Sequence, residues 1–220
     1  DPFHIDGFIP IPQNIKFWGV DSGIKRSTAS SDYTCCRVAA FMGKRIINCT
    51  NAVQVLHLAD LEPDEFEAVH VQTLPESITG ADFIAKYGTH DDTVTQIDPC
   101  MAYSVKVCTS HPVLENYRTQ TFGQILKSCH SEIGTEQRIL LGNLMYDSHM
   151  SYSKCGLGTP ETDLLVNLAK EIDGVFGAKI TGGGGGGTVC LLTHNSAEGE
   201  QAVKSIQRQY EFQTGISTTL

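Results

Sequence analysis

The sequence predicts an α+β fold in which helices lie on one face of an antiparallel sheet. Six consecutive glycines, Gly182–Gly187, lie between two runs of β-forming residues, 177–181 and 188–192. Apolar residues recur at helical spacing on both sides of this segment, over 159–174 and 195–210. The resulting order of helix, β-hairpin and helix is typical of helices layered on an antiparallel sheet.

The composition limits the classes of partner. The chain has 220 residues, of which 40% are hydrophobic, and carries a formal net charge of −9. This length suffices for one large core or two small ones. Nucleic acid binding requires a basic surface, and no segment approaches the roughly 20 apolar residues of a membrane span. We therefore expect a cytoplasmic protein with neither nucleic acid nor membrane as a partner, and its oligomeric state stays open.

Eight cysteines are spread along the chain without a CxxC pair, at positions 35, 36, 49, 100, 108, 129, 155 and 190. Their neighbours are mostly apolar, which is typical of reduced thiols in the core of a cytoplasmic protein. The segment His90-Asp91-Asp92 contains residue types that bind metals, but polar loop residues are the better interpretation. The sequence predicts no metal site.

The first elements are a strand over 15–20 and a helix over 33–47, with cap candidates at 30–32. Tyr33 and Arg37 are four residues apart and therefore share a face of this helix.

The middle of the chain predicts mainly helices. A helix is expected over 75–87, a weak strand over 103–107, and longer helices over 117–129 and 136–153. The last of these helices is expected to bury five apolar side chains, namely Ile139, Leu140, Leu144, Met145 and Met150.

Capping residues define the last elements. Thr159-Pro160-Glu161 is a cap, a proline in the first turn and an acidic residue, and Gly174 closes that helix. The segment 195–198 resembles a capping box and precedes a helix whose buried face contains Val203, Ile206 and Tyr210. A final strand is expected over 215–219.

The glycine run is costly for an ordered chain. Each glycine costs about 0.5–1 kcal/mol relative to alanine, so six cost roughly 3–6 kcal/mol. A fold that retains them needs bare backbone close to a phosphate or to another tight loop. A Walker A loop or a dinucleotide fingerprint is disfavoured, because Thr188 follows Gly187 without a lysine and a strand follows instead of a helix. A flexible linker is the remaining alternative.

Several segments in order resemble the GHMP small-molecule kinases, which include galactokinase and the homoserine and mevalonate kinases. The glycine run with its flanks resembles the third motif of this family, and 159–165 resembles the galactokinase segment before it. The segments 17–25, 86–92 and 151–158 are more similar to plant-type L-arabinokinases than to galactokinases. The resemblance covers nearly the whole chain.

This resemblance implies a ferredoxin-like GHMP C-terminal domain over 29–220 and a remnant of the N-terminal domain over 1–28. It implies that Tyr33 contacts the sugar, and that Asp21 and Arg37 line the same cleft. The glycines that would pack beside the phosphate loop are Gly182, Gly183, Gly184, Gly185, Gly186 and Gly187. The substrates implied are a sugar and ATP, with Mg²⁺ as the cofactor.

Two family motifs do not occur in the sequence: the serine-rich nucleotide loop and the Met-Asp-Gln segment that carries the catalytic carboxylate. We therefore assign no catalytic residue, and expect the C-terminal part of a longer kinase, inactive alone, whose ATP and Mg²⁺ bind mainly to the preceding part. The expected reaction converts L-arabinose and ATP to L-arabinose 1-phosphate and ADP. The alternatives are a galactokinase and a non-catalytic α+β binding or regulatory module.

Overall fold

A three-stranded antiparallel sheet in the order β1-β5-β4 lies at the centre of the fold. The computed structural model describes residues 7–25, 31–50, 54–129 and 131–220. The strands are β1 (Ile15–Asp21), β4 (Val175–Ile180) and β5 (Thr188–His194), and two short strands, β2 (Ile78–Thr79) and β3 (Ala102–Tyr103), pair separately. Because β4 and β5 are antiparallel neighbours joined by the glycine run, the predicted strand–glycine turn–strand is confirmed.

The described residues contain seven α-helices: α1 (Ser31–Thr50), α2 (Pro63–Glu65), α3 (Gly80–Tyr87), α4 (Val105–Ser128), α5 (Thr135–Lys154), α6 (Pro160–Glu171) and α7 (Ala197–Thr214). Short 3-10 and π-helical turns occupy Leu58–Asp60, Phe66–His70 and Val71–Thr73. None of the helices within the described ranges is long and apolar enough to cross a membrane.

Helices cover both faces of the central sheet, whereas the sequence predicted one covered face. Side chains alternate between the faces along a strand, so neighbouring residues of β5 point to opposite sides. Leu191 packs with the buried residues of α6 and α7. Leu192 packs on the other side with residues of α4 and α5, such as Leu126 and Leu141. The predicted α+β class is confirmed, and the sheet is its middle layer.

A second core joins α1 to α4 and to the segment between them. Its buried residues include Met42 and Ile46 of α1, Val105 of α4, and Phe66 and Phe83 of the intervening segment. The predicted boundary after residue 28 and the predicted cap at residue 30 lie outside the described residues.

Three predictions about the elements are wrong. The expected strand over 103–107 ends at Tyr103, because α4 begins at Val105 and continues through Pro112. Residues 215–219 form no strand, since Gly215 ends α7 in a left-handed conformation and the segment makes one backbone bond to β1, from the Asp21 N–H to the Thr219 carbonyl at 3.0 Å. Ile139, Leu140 and Met150 are about half exposed, because α5 turns a different face inward.

Candidate functional site around the glycine loop

The glycine run is a compact turn tied to two other segments of the chain. The Gly185 N–H donates a hydrogen bond of 2.8 Å to the carbonyl of Leu157, which follows α5. The Gly187 N–H donates to the Ile24 carbonyl at 2.9 Å, and the Gly187 carbonyl accepts from the Ser22 N–H at 2.9 Å. These bonds hold the loop between the end of α5 and the turn after β1, which a flexible linker does not do.

Two of the glycines are required by close packing. A Cβ atom at Gly184 would lie 2.6 Å from the Leu157 carbonyl oxygen, and one at Gly186 would lie 2.5 Å from the Ile24 carbonyl oxygen. At Gly182 and Gly187 a Cβ would meet nothing within 4 Å. The middle of the loop is therefore packed against backbone, while there is free space beside the Cα atoms of Gly182 and Gly187 at its two ends.

Tyr33 and Arg37 lie on the first turns of α1, as predicted. The Arg37 guanidinium binds Asp92 through two hydrogen bonds, of 2.7 Å from Nε and 2.8 Å from Nη2. The Asp92 side chain is only 3% exposed, and the hydrogen bond from Arg37 holds the pKa of its carboxyl far below the ordinary value. The pKa of Arg37 is raised, first by Asp92 and further by a hydrogen bond to Tyr33.

This pairing changes the interpretation of Arg37 and of the acidic loop. The Arg37 guanidinium is occupied by Asp92, and Tyr33 contributes to its raised pKa. Asp91 forms a 2.6 Å ion pair with Lys44. The segment His90-Asp91-Asp92, whose residue types can bind metals, therefore binds α1 through the Asp92–Arg37 and Asp91–Lys44 ion pairs.

Tyr152 of α5 reaches the glycine loop. Its hydroxyl donates to the Gly182 carbonyl at 3.1 Å, and its ring lies 5.2 Å from that of His111. Burial raises the pKa of Tyr152 to about 12, and Tyr33 contributes to this shift. Tyr33 and the glycine loop thus both act on the Tyr152 phenol, Tyr33 through its charge and the loop through a hydrogen bond. Tyr152 lies in the segment 151–158 that resembles L-arabinokinases, but the sequence predicted no role for this residue.

Asp21 has a local structural role. One of its carboxylate oxygens accepts a 2.9 Å hydrogen bond from the Gly23 N–H, and the residue pairs with Thr188 across β1 and β5. Asp21 therefore shapes the turn whose Ile24 carbonyl supports Gly187.

A cavity of about 480 Å³ begins at Gly182 and runs between the sheet, α4 and α5. Its charged lining is centred on Glu115, which accepts hydrogen bonds from Ser148 at 2.6 Å, from Arg118 at 2.8 Å and from Lys179 at 2.9 Å. The sequence analysis missed this group. The signal available was the spacing of His111, Glu115 and Arg118 on one helix face, four and three residues apart.

The electrostatics of this cavity produce a testable pH dependence. Burial alone would raise the pKa of Glu115, but the bond from Ser148 and the charges of Lys179 and Arg118 lower it to about 2. A carboxyl whose folded pKa is depressed stabilises the protein above its unfolded pKa and loses that contribution as the pH falls. The contribution is at most about 3 kcal/mol, lost between roughly pH 5 and pH 2.

We expect Glu115→Gln to flatten the fall of unfolding free energy across that pH range, because glutamine does not titrate. Urea unfolding at several pH values measures this slope. Glu67→Gln, at an exposed glutamate, is the matched control and should leave the slope unchanged. Equal slopes for both variants and the wild type would contradict the assignment.

Residues 125–211 match the family described as GHMP kinases C terminal. This part of the chain matches the C-terminal domain of GHMP kinases. The GHMP match begins near the end of α4 and includes α5, α6 and the whole glycine hairpin, so the family assigned from the sequence is confirmed.

Two relatives extend the similarity beyond the GHMP match. L-arabinokinase from Arabidopsis thaliana is 37% identical over 252 aligned residues, which cover 97% of this chain and 24% of that protein. The crystal structure of Lactococcus lactis galactokinase complexed with galactose shares the fold with a TM-score of 0.66 at 20% identity, covering 96% of this chain and 45% of that one. The chain thus spans about a quarter of the first relative and under half of the second.

Proposed function

We propose that this chain forms part of an ATP-dependent sugar-1-kinase that converts L-arabinose to L-arabinose 1-phosphate. The observation that carries the proposal is the glycine loop: its open backbone at Gly182 borders a cavity, and the Gly182 carbonyl binds the Tyr152 hydroxyl, whose pKa Tyr33 helps to raise. The identity with L-arabinokinase over 97% of the chain supports the choice of sugar.

In this proposal the role of the chain is to position the sugar and the phosphates. Tyr33 orients the sugar through its phenol, with its side chain held by Arg37, which Asp92 anchors. Gly182–Gly187 let main chain approach the phosphates or the loop that holds them, because bare N–H groups bind anions well. Asp21 maintains the adjoining turn. Phosphoryl transfer also requires charge neutralisation at the transferred phosphate.

The described residues do not fit a Mg²⁺ site. Mg²⁺ prefers oxygen ligands in octahedral geometry. No three carboxylate or imidazole ligand atoms come together within the part of the chain that the structure describes. We therefore place Mg²⁺, most of the ATP contacts and the catalytic base in the part of the kinase relatives that lies outside the matched region. The 220 residues alone are expected not to phosphorylate the sugar. The eight unpaired cysteines support a cytoplasmic setting.

The test compares the wild type with Tyr33→Phe, each expressed from the full reading frame that encodes this chain. With ATP, Mg²⁺ and L-arabinose, we expect sugar 1-phosphate and ADP in equal amounts. Tyr33→Phe should raise the KM for the sugar roughly 5–30-fold, the effect of about 1–2 kcal/mol for a lost hydrogen bond, and leave the KM for ATP unchanged. Tyr117→Phe, at a half-exposed phenol in α4, is the control.

Other outcomes distinguish the alternatives. A clear preference for galactose over L-arabinose would identify a galactokinase, which the shared fold with the Lactococcus lactis enzyme makes the second candidate. No phosphorylation of any sugar in a panel would instead favour the non-catalytic module.

A further inference from the structure

Three cysteines that are far apart in the sequence meet inside the protein. Cys36 lies in α1, Cys108 lies in α4 and Cys155 follows the last residue of α5. Their sulfur atoms all lie within 4.8 Å of one another. Within the described ranges, no other set of histidine, cysteine, aspartate or glutamate side chains brings three ligand atoms so close.

The surroundings of this cluster are apolar. Cys108 is 3% exposed and Cys155 is 9% exposed, and both belong to the core that includes Val105 and Leu157. The Cys155 thiol donates a 3.7 Å hydrogen bond to the Val107 carbonyl. The cluster is therefore a largely buried group of three sulfurs.

We propose that Cys36, Cys108 and Cys155 form a binding site for a single thiophilic ion held by three sulfur atoms. Bonds of about 2.3 Å from three sulfurs to one ion place those sulfurs roughly 3.5–4 Å apart, so the cluster must contract by up to about 1 Å to bind it. Thiolates select soft ions over Mg²⁺ or Ca²⁺. The absence of a fourth ligand atom in the cluster, among the described residues, distinguishes it from a closed four-ligand zinc site.

Charge selects the ion that fits best. Three thiolates around Zn²⁺ carry a net charge of −1, which an apolar core disfavours, whereas three thiolates around trivalent arsenic are neutral. Arsenous acid, As(OH)₃, exchanges its three hydroxyl groups for the three sulfurs. Three As–O bonds break, three As–S bonds form, the thiol protons leave in three water molecules, and arsenic stays trivalent. The site is therefore assigned to a trivalent thiophilic ion, with trivalent arsenic as the probe.

The position of the cluster links it to the glycine loop. Cys36 lies between Tyr33 and Arg37 in α1, and Cys155 lies two residues before Leu157, whose carbonyl accepts the hydrogen bond from Gly185. An ion bound to all three sulfurs would join α1, α4 and the end of α5. Binding should therefore raise the melting temperature of the chain, whether or not it takes part in a kinase.

The test titrates the reduced 220-residue chain with arsenite. We expect one arsenic per chain by intact-mass measurement, a first shell of three sulfurs by X-ray absorption, and a rise in melting temperature. Cys36→Ser should weaken binding by more than about 100-fold. Cys36 is only partly buried, so this variant is the one best suited to retain the fold, which circular dichroism checks.

The matched control replaces two exposed cysteines, Cys49→Ser and Cys100→Ser, and should bind arsenic as the wild type does. Zn²⁺ should bind more weakly than arsenite under the same conditions. The proposal is overturned if the wild type binds no arsenic at one equivalent, or if folded Cys36→Ser binds it equally well. The reverse order of affinity, Zn²⁺ above arsenite, would overturn the assignment to a trivalent ion.

Discussion

Gly142→Ala is expected to destabilise the protein by about 3 kcal/mol or more, at the upper end of what overpacking costs. Gly142 lies in α5 where this helix crosses β4. A Cβ atom at this position would lie 1.8 Å from the Phe176 carbonyl oxygen, and one at Gly177 would lie 2.5 Å from the Gly142 Cα. The conflict is between two backbones, so no side-chain rotation relieves it. The helix would have to move away from the sheet.

Gly123→Ala is the matched control, since it also introduces a Cβ into a long helix. Its Cβ would lie 3.6 Å from the Ile9 Cδ1, an ordinary contact. Because alanine favours the helix over glycine, we expect a stabilisation of about 0.5–1 kcal/mol. Urea unfolding of both variants measures the difference. A Gly142→Ala protein as stable as the wild type would show that α5 does not press on β4.

The second large effect is expected in the glycine loop. Gly186→Ala combines a left-handed backbone, with φ at 125°, and a Cβ only 2.5 Å from the Ile24 carbonyl oxygen. We expect it to cost about 3 kcal/mol: roughly 1–2 kcal/mol from the strained conformation and the remainder from displacement of the turn after β1. The displaced turn would lose the Gly187 hydrogen bonds to Ile24 and Ser22.

Gly187→Ala separates these two contributions. Its φ of 79° is also left-handed, but its Cβ meets nothing within 4 Å. We expect it to cost only the strain of about 1–2 kcal/mol. Hydrogen exchange of the Gly187 amide should accelerate in Gly186→Ala, because its bond to the Ile24 carbonyl is disturbed. Equal destabilisation by the two substitutions would contradict the close packing at Gly186.

Local chemistry explains the predictions that are confirmed. The Thr159 hydroxyl accepts a 3.2 Å hydrogen bond from the Thr162 N–H and begins α6, as the sequence pattern indicated. The last helix is capped by Ser196, one residue after the start of the predicted box, through a 3.2 Å bond from the Gly199 N–H. These interactions join residues three positions apart, so the sequence displays them directly.

Packing between segments that are far apart in the sequence explains the predictions that failed. Pro112 usually interrupts a helix, yet α4 continues through it, with α1 and α5 packed against this helix. The periodicity of α5 identified a helix but not its buried face. Leu141 and Met145 are buried, with Ser148 and His149 on the same side, while Ile139 and Leu140 remain half exposed.

The sequence by itself determined the glycine hairpin, most helices with their caps, and the family, because these depend on residues adjacent in the chain or one helical turn apart. Only the tertiary structure decided that Asp92 holds Arg37, that Lys179 of β4 joins Glu115 in the cavity, and that three scattered cysteines share one core. The physical reason is that such contacts depend on how α1 packs on α4, α4 on α5 and α5 on β4. Hydrophobic periodicity and capping residues do not specify the distances between side chains on different elements.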